Sequence, residues 1–252
     1  MNFLHNGCRF VMVRPSHPGN VGAAARAMKT MGFSQLVLVH PKDPNVRQHP
    51  DAIALASGAS DVLDQARIVH TLEEALNGTT LSFALTSRHR DMGPPVINAR
   101  ECAELSSQHL HQNEAIAMVF GTERTGLENK EIALCSYICH IPANPEYSSL
   151  NVSQALQVLA WEVHYALLNH SETPITSSRQ ETPATHEQIQ AFLKHWEQAL
   201  IEIDFLNPKH PKKLIPRMQY LFSKSQLTTE EVAMLRGVCT QILKTKKHLN
   251  NQ

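Results

Sequence analysis

Two short apolar runs, each followed at once by a polar loop, constrain the fold of this chain more than any other feature. The runs are residues 115–120 (AIAMVF) and 137–141 (YICHI), and the loops are residues 121–127 and 142–151. Each run has the length of a buried parallel strand, and open α/β sheets bind ligands beyond the carboxyl ends of their strands. The two loops should therefore face one edge of a sheet. They would gather these residues there: Gly121, Glu123, Arg124, Gly126, Asn144, Glu146, Ser148, Ser149 and Asn151.

The remainder of the first 168 residues alternates strand patterns with helix patterns. We predict strands at residues 9–13, 36–39, 67–69 and 80–85, and helices at residues 21–31, 51–58, 72–76, 99–110 and 152–168. This alternation is typical of an α/β fold built on a parallel sheet. No Gly-x-Gly-x-x-Gly segment follows the first strand, which argues against a nicotinamide-binding domain, and the sequence has no Walker A segment either.

The predicted helix at residues 21–31 carries an arginine that could hold a phosphate. Asn20 ends a loop of turn-forming residues and could cap this helix. Because helical side chains lean toward the N-terminus, Arg26 should point back at the Asn20 loop, and Gly22 leaves room for it. An arginine aimed at a helix N-terminus suits a phosphate group. A solvated surface arginine is an equally weighted alternative.

The composition predicts a globular protein of a reducing compartment. Of 252 residues, 42% are hydrophobic and 18% are charged, and no apolar run approaches the roughly 20 residues of a membrane helix. We expect no signal peptide, and the five scattered cysteines predict a cytoplasmic location without disulfides. Cys135, Cys139 and His140 invite a zinc interpretation, but no second ligand pair has the usual spacing, so small core side chains are the better interpretation.

The C-terminal part of the chain predicts a separate basic domain. We assign residues 1–168 to the α/β domain, residues 169–187 to a linker rich in Ser, Thr and Pro, and residues 188–252 to a helical domain. Residues 205–252 hold nine lysines or arginines and two acids, a net charge of +7, which suggests a polyanionic partner. In the helix at 152–168, Trp161 and Tyr165 lie off the apolar line and indicate either core packing or a subunit interface.

Three segments, in this order, resemble the SpoU-like branch of the SPOUT RNA methyltransferases. They are residues 17–26 (HPGNVGAAAR), 119–127 (VFGTERTGL) and 141–152 (IPANPEYSSLNV). The resemblance covers residues 9–168. It implies a parallel sheet with a C-terminal trefoil knot, a homodimer, and S-adenosyl-L-methionine bound in the knot. The small all-α extension and residues 143–151 further resemble the tRNA 2′-O-methyltransferases that modify cytidine or uridine 32 in the anticodon loop.

The resemblance also assigns residues to roles. The expected cofactor contacts are Leu85, Thr86, Ser87, Gly121, Ile141, Ser148, Ser149 and Leu150, of which Leu85 departs from the glycine or threonine frequent in relatives. The expected catalytic residues are Arg26, Asn20, Glu123, Arg124, Ser149 and Asn151. The expected RNA contacts are Arg26, Arg88 and Arg90 and, on the basic tail, Lys212, Lys213 and Arg217.

The chemistry implied needs no metal, since the cofactor is a sulfonium whose methyl group is already activated. Arginine almost never deprotonates, so we favour Arg26 as a phosphate holder that stabilises developing alkoxide charge rather than as the base. The expected partners are tRNA and a second copy of the chain, with no membrane and no DNA. Two alternatives remain: the same reaction on another RNA such as rRNA, and a catalytically inactive RNA-binding dimer.

Overall fold

The computed structural model describes residues 3–88, 93–169 and 182–249, which fall into two compact units, Met1–Thr173 and Pro174–Gln252. The first unit is an α/β domain. Its strands are β1 Cys8–Val13, β2 Gln35–Val39, β3 Arg67–Val69, β4 Leu81–Leu85, β5 Val96–Asn98, β6 Ile116–Phe120 and β7 Tyr137–His140. Its helices are α1 Phe3–Asn6, α2 Pro18–Thr30, α3 Pro50–Ala56, α4 Ser60–Asp64, α5 Leu72–Leu76, α6 Ala99–His111, α7 Asn129–Ile132 and α8 Val152–Leu168.

The seven strands form one parallel sheet in the order β3-β2-β1-β6-β4-β7-β5. Both central strands β6 and β4 are buried along their full length, as expected for apolar strands covered on both faces. The hydrophobic core on one face includes residues of α2, α6 and α8, and the core on the other face includes residues of α5 and α7. The predicted parallel α/β fold is confirmed, and the order places the carboxyl ends of β1, β6, β4 and β7 side by side.

The start of α2 differs from the prediction, and the difference bears on the site. The helix begins at Pro18, with His17 at the N-cap position, so Asn20 lies in the first turn and does not cap it. Pro18 fits because proline favours the first helical position, where an amide hydrogen would lack a partner. Gly22 is also assigned wrongly: a Cβ there would lie 2.0 Å from the carbonyl oxygen of Ala52. Gly22 therefore makes room for α3 to cross α2, not for Arg26.

Several short elements were not predicted from the sequence. The strand β5 spans three residues at the sheet edge, too few to show an alternating pattern. The predicted helix at 51–58 stops at Ala56, because Ser57 adopts a left-handed φ of 51° and starts a 3₁₀ turn, Ser57–Ala59. Helix α4 follows directly. A second 3₁₀ turn, Val46–Gln48, precedes α3.

The second unit consists of helices α9 His186–Glu202, α10 Leu214–Lys224 and α11 Thr229–Leu249. Capping boxes begin two of them: Thr185 pairs with Gln188 at α9, and Thr228 pairs with Glu231 at α11. Their own small core includes Phe192, Leu193, Val232 and Cys239. This part of the chain is helical, as predicted, although α9 begins within the stretch assigned to the linker. No helix in the described ranges is long and apolar enough to cross a membrane.

Candidate active site

An open pocket lies at the carboxyl ends of β4, β6 and β7, where the sequence places its polar loops. Its wall combines apolar side chains with glycines, hydroxyls and charged groups. All eight residues predicted to contact a cofactor line it: Leu85, Thr86, Ser87, Gly121, Ile141, Ser148, Ser149 and Leu150. Glu123, Arg124 and Arg88 line it as well. The topology explains the convergence, since β4 lies between β6 and β7 and brings three loops to one edge.

The loop that follows β6 closes tightly on itself. The amide of Gly126 donates to the carbonyl of Thr122 at 3.0 Å, and the hydroxyls of Thr122 and Thr125 are 2.7 Å apart. A Cβ on Gly121 would lie 2.2 Å from the carbonyl carbon of Gly126, so a larger residue cannot occupy this position without moving the backbone. Gly126 itself has a φ of 69°, in the left-handed region. The two glycines therefore fix the shape of one pocket wall.

The loop that follows β7 forms the opposite wall and then enters α8. The Asn144 side chain accepts from the amide of Glu146, and the Asn144 carbonyl accepts from the amide of Tyr147. Ser148, Ser149 and Leu150 are exposed on this loop. Asn151 caps α8: its Oδ1 accepts from the Ser153 amide at 2.9 Å. Asparagine is among the residues favoured at this position.

Glu123 is the most heavily hydrogen-bonded side chain of the site. One carboxylate oxygen accepts from the Asn20 side chain at 3.1 Å and from the His17 amide at 3.2 Å. The other accepts from the Ser16 amide at 3.1 Å and from the Ser16 hydroxyl at 2.7 Å. Partial burial raises the pKa of Glu123, but the hydrogen bonds from Ser16, Asn20 and the backbone outweigh it, so the pKa is lowered. Both oxygens of this charged carboxylate already accept hydrogen bonds, so Glu123 is better suited to positioning other groups than to accepting a proton.

A chain of hydrogen bonds joins helix α2, through the 121–127 loop, to the residue that caps α8. The Asn151 side chain donates to Oδ1 of Asn20 at 3.0 Å, while Nδ2 of Asn20 donates to Glu123. Three segments far apart in sequence thus hold one another in place. The sequence analysis identified these three residues but missed Ser16, the fourth member. Its signal was available, since Ser16 follows a strand at the same sheet edge as the other loops.

The arginines predicted to act on RNA occupy different places. Arg26 is exposed on α2, and among the described residues no side chain or carbonyl accepts a hydrogen bond from its guanidinium. Arg124 and Arg88 are exposed at the pocket, where the Arg88 amide donates to the Thr86 hydroxyl at 3.1 Å. Arg90 lies outside the described residues. In the second unit, the three predicted cations Lys212, Lys213 and Arg217 are exposed.

One cysteine, Cys139, lines the pocket, and the other four are not among its lining residues. All five are buried thiols, and burial raises the pKa of Cys135 to about 12. Cys135 and Cys139, the pair considered for zinc, pack in the core on opposite faces of the sheet. No group of three or more His, Cys, Asp or Glu side chains suited to a metal occurs among the residues that the structure describes. The site offers charged side chains, hydroxyls and backbone groups.

These features define a class of protein: an α/β domain with an open pocket at the carboxyl edge of a parallel sheet. Residues 7–161 match the SpoU rRNA Methylase family, and residues 187–251 match the C-terminal domain of the tRNA methyltransferase TrmJ. The chain therefore belongs to the SpoU methylase family, as its motifs indicate.

Two relatives match nearly the whole chain, and a third matches about two thirds of it. A tRNA (cytidine/uridine/adenosine-2′-O-)-methyltransferase TrmJ from Pseudomonas aeruginosa is 42% identical over 249 residues, 96% of each chain. The crystal structure of TrmJ from Zymomonas mobilis (Z. mobilis ZM4) is 32% identical with a TM-score of 0.78, and the match covers 93% of this chain and 98% of that one. A probable methyltransferase from Bordetella pertussis is 58% identical with a TM-score of 0.63, over 66% of this chain and 99% of that one.

Proposed function

We propose that this protein transfers a methyl group from S-adenosyl-L-methionine to the ribose 2′-hydroxyl of cytidine or uridine 32 in the tRNA anticodon loop. The observation that carries the proposal is the pocket, because all eight residues expected to contact the cofactor line it. The relatives named as tRNA 2′-O-methyltransferases, similar over nearly the full chain, support the substrate class. A ribose 2′-hydroxyl is the acceptor, so the partner is RNA and not DNA.

The pocket fits the proposed cofactor chemically. Leu85, Ile141 and Leu150 offer apolar surface for the adenine and the thioether part of the molecule. Backbone groups and hydroxyls on the three loops, including those of Thr86 and Ser149, can bond its polar atoms. When bound, S-adenosyl-L-methionine supplies an already activated methyl group, so no metal is required of the protein.

The protein's own residues bind and orient the acceptor. Arg26, which is exposed and permanently charged, holds a backbone phosphate and stabilises negative charge that develops on the 2′-oxygen. Glu123, with its hydrogen bonds from Ser16 and Asn20, fixes the 121–127 loop to the segment that joins β1 to α2. Arg124 and Ser149 lie in the pocket wall, where they can contact the reacting ribose. Much of the rate then comes from holding the 2′-oxygen in line with the methyl group.

Several further features belong to the same proposal. The chain from β7 to α8 forms the trefoil knot of the SPOUT fold, and the protein acts in the cytoplasm as a homodimer. The dimer interface includes Trp161 and Tyr165, whose rings stack at 5.5 Å and are about half exposed on α8. The α/β domain ends at residue 168 and the helical domain begins at residue 188. The helical domain binds tRNA through Lys212, Lys213 and Arg217, and the α/β domain binds it through Arg88 and Arg90.

The decisive experiment maps ribose methylation in cellular RNA with and without the gene. Loss of 2′-O-methylation at tRNA position 32, restored by the wild-type gene but not by an Arg26→Ala variant, is the expected result. Methylation lost in rRNA with position 32 intact would favour the first alternative. An unchanged methylation map, together with no binding of S-adenosyl-L-methionine in calorimetry, would indicate an inactive RNA-binding dimer.

A further inference from the structure

An ion-pair cluster beside the pocket is not used by the proposed mechanism. Arg14, at the end of β1, donates one side-chain hydrogen bond to Glu131 Oε1 and a second, at 3.3 Å, to Glu131 Oε2. The same guanidinium lies 3.0 Å from Glu128 Oε1. The side chain of Glu131 is only 5% exposed, so removing Arg14 would leave a buried carboxylate without its partner, which costs more than breaking a surface ion pair.

Glu131 also organises the segment that follows the pocket loop. Glu131 Oε2 also accepts from the amide of Glu128 at 2.7 Å, which completes the capping box of α7. Helix α7 begins directly after residues 121–127, the loop that carries Gly121, Glu123 and Arg124. Arg14 therefore fixes the far end of that loop against β1.

Arg14 also has an unfavourable backbone conformation. Its φ of 48° lies in the left-handed region, which is unfavourable for residues other than glycine. The left-handed turn comes where the chain leaves β1, while the Arg14 amide still donates to Val39 of the neighbouring strand at 2.8 Å. Two residues later, Ser16 binds Glu123.

We propose that Arg14 is a positioning residue for methyl transfer, which holds the 121–127 loop at its α7 end while Ser16 and Asn20 hold it at Glu123. With both ends of the loop fixed to the β1–α2 segment, the pocket wall formed by residues 121–127 keeps one position. The inference rests on the proposed function, because it concerns the geometry of that same site.

The test compares Arg14→Met, which keeps much of the side-chain volume but removes the charge, with Arg14→Lys. We expect Arg14→Met to weaken S-adenosyl-L-methionine binding and to lower kcat, each by about tenfold or more, because small displacements of positioning groups are costly. Arg14→Lys, which restores the charge but not the fork of donors, should recover part of both. Calorimetry gives the dissociation constant, and steady-state kinetics with tRNA gives kcat and KM.

A matched control separates positioning from general stability. Arg100 and Glu162 form another two-point pair, at 3.1 and 3.2 Å, between α6 and α8 and outside the residues lining the pocket. Arg100→Met should change Tm without changing cofactor affinity. If Arg14→Met does not fold, Glu131→Gln replaces it, since the amide can still cap α7 while losing its charge.

The outcomes distinguish this inference from the proposed function. A wild-type protein that binds no S-adenosyl-L-methionine overturns the proposed function whatever the variants do. A wild-type protein that binds and transfers methyl groups, alongside an Arg14→Met or Glu131→Gln variant with unchanged affinity and kcat, overturns the role of Arg14 alone. The same conclusion follows if the Arg14 and Arg100 variants differ from wild type only in Tm.

Discussion

At the scale of single residues, the site depends on positions where the backbone leaves no space for a side chain. Gly121 is such a position, because the 121–127 loop returns to within 2.2 Å of where its Cβ would be. Sequence reasoning expected a cofactor contact there. The structure gives a second reason for glycine at this position: the pocket wall can close only if residue 121 has no side chain, whether or not a ligand is bound.

Replacing Gly121 by alanine should therefore open the pocket wall. We expect a stability loss of about 1–3 kcal/mol, typical of forced backbone shifts, and a cofactor affinity too weak for calorimetry to detect. The matched control is Gly58→Ala, since a Cβ at Gly58 has no atom within 4 Å. Near-normal cofactor binding by Gly121→Ala would mean that the loop adapts without consequence for the site.

Glu123 gives the site a dependence on pH. Its folded-state pKa is lowered, so its stabilising contribution is complete above the unfolded pKa of about 4.3 and is lost as the pH falls through the folded pKa. Glu123→Gln should lower stability at pH 7 by about 1 kcal/mol, a figure discounted for solvent screening of this half-buried group. The difference from wild type should shrink as the pH falls below about 4.

Chemical denaturation at several pH values measures that difference. Glu146→Gln, a change at an exposed carboxylate on the 142–151 loop, serves as the control. A destabilisation by Glu123→Gln that is the same at pH 3 and pH 7 would contradict the view that Glu123 acts as a charged acceptor.

At the scale of helices and strands, periodicity predicted most of the architecture. The apolar strands and the helices α6 and α8 lie close to their predicted bounds, because burial of apolar faces dominates their local preferences. The errors are at positions where a contact with a neighbouring element determines the local structure. Helix α2 starts at Pro18, and the Asn20 side chain bonds Glu123 instead of capping the helix. Gly22 is required where α3 crosses α2. A single sequence holds no information on such contacts.

In the candidate site, too, some residues could be predicted from the sequence and others could not. The residues of the two polar loops were predictable, because strand ends of a parallel sheet share an edge. Ser16 and Arg14 were not singled out, since their importance comes from partners more than a hundred residues away. The sequence places Ser16 after a strand at the same sheet edge, but its partner is identified only by the sheet order, with β1 beside β6.

The helix α10 region should contribute to RNA affinity through charge rather than through sequence reading. Replacing Lys212, Lys213 and Arg217 together by alanine should weaken tRNA binding and flatten its salt dependence, by a slope of up to about 2–3 in a plot of log K against log salt. Cofactor affinity should not change. Filter binding at several salt concentrations measures the slope, and Lys42→Ala, an exposed lysine of the α/β domain, is the control. An unchanged slope would assign another task to these cations.

At the scale of the whole molecule, the sheet order converts distance along the chain into proximity. Asn20 and Asn151 are 131 positions apart and share a hydrogen bond of 3.0 Å. Arg26 lies on the same helix as Asn20 but is not among the described residues that line the pocket of its own chain. A second subunit related by a two-fold axis brings the same patch of each chain together. We therefore expect Arg26 of one subunit to act on the substrate held at the pocket of the other.

Mixing two inactive variants tests this arrangement. Arg26→Ala should retain cofactor binding and lose nearly all methyl transfer, and Gly121→Trp should lose both. In a mixed dimer, one of the two sites would combine an intact Arg26 with an intact pocket, so random subunit exchange should restore about one quarter of wild-type activity. Each variant alone, carried through the same exchange protocol, should stay inactive. Tagged subunits establish that mixed dimers have formed, and mixed dimers that remain inactive would place Arg26 in the site of its own chain.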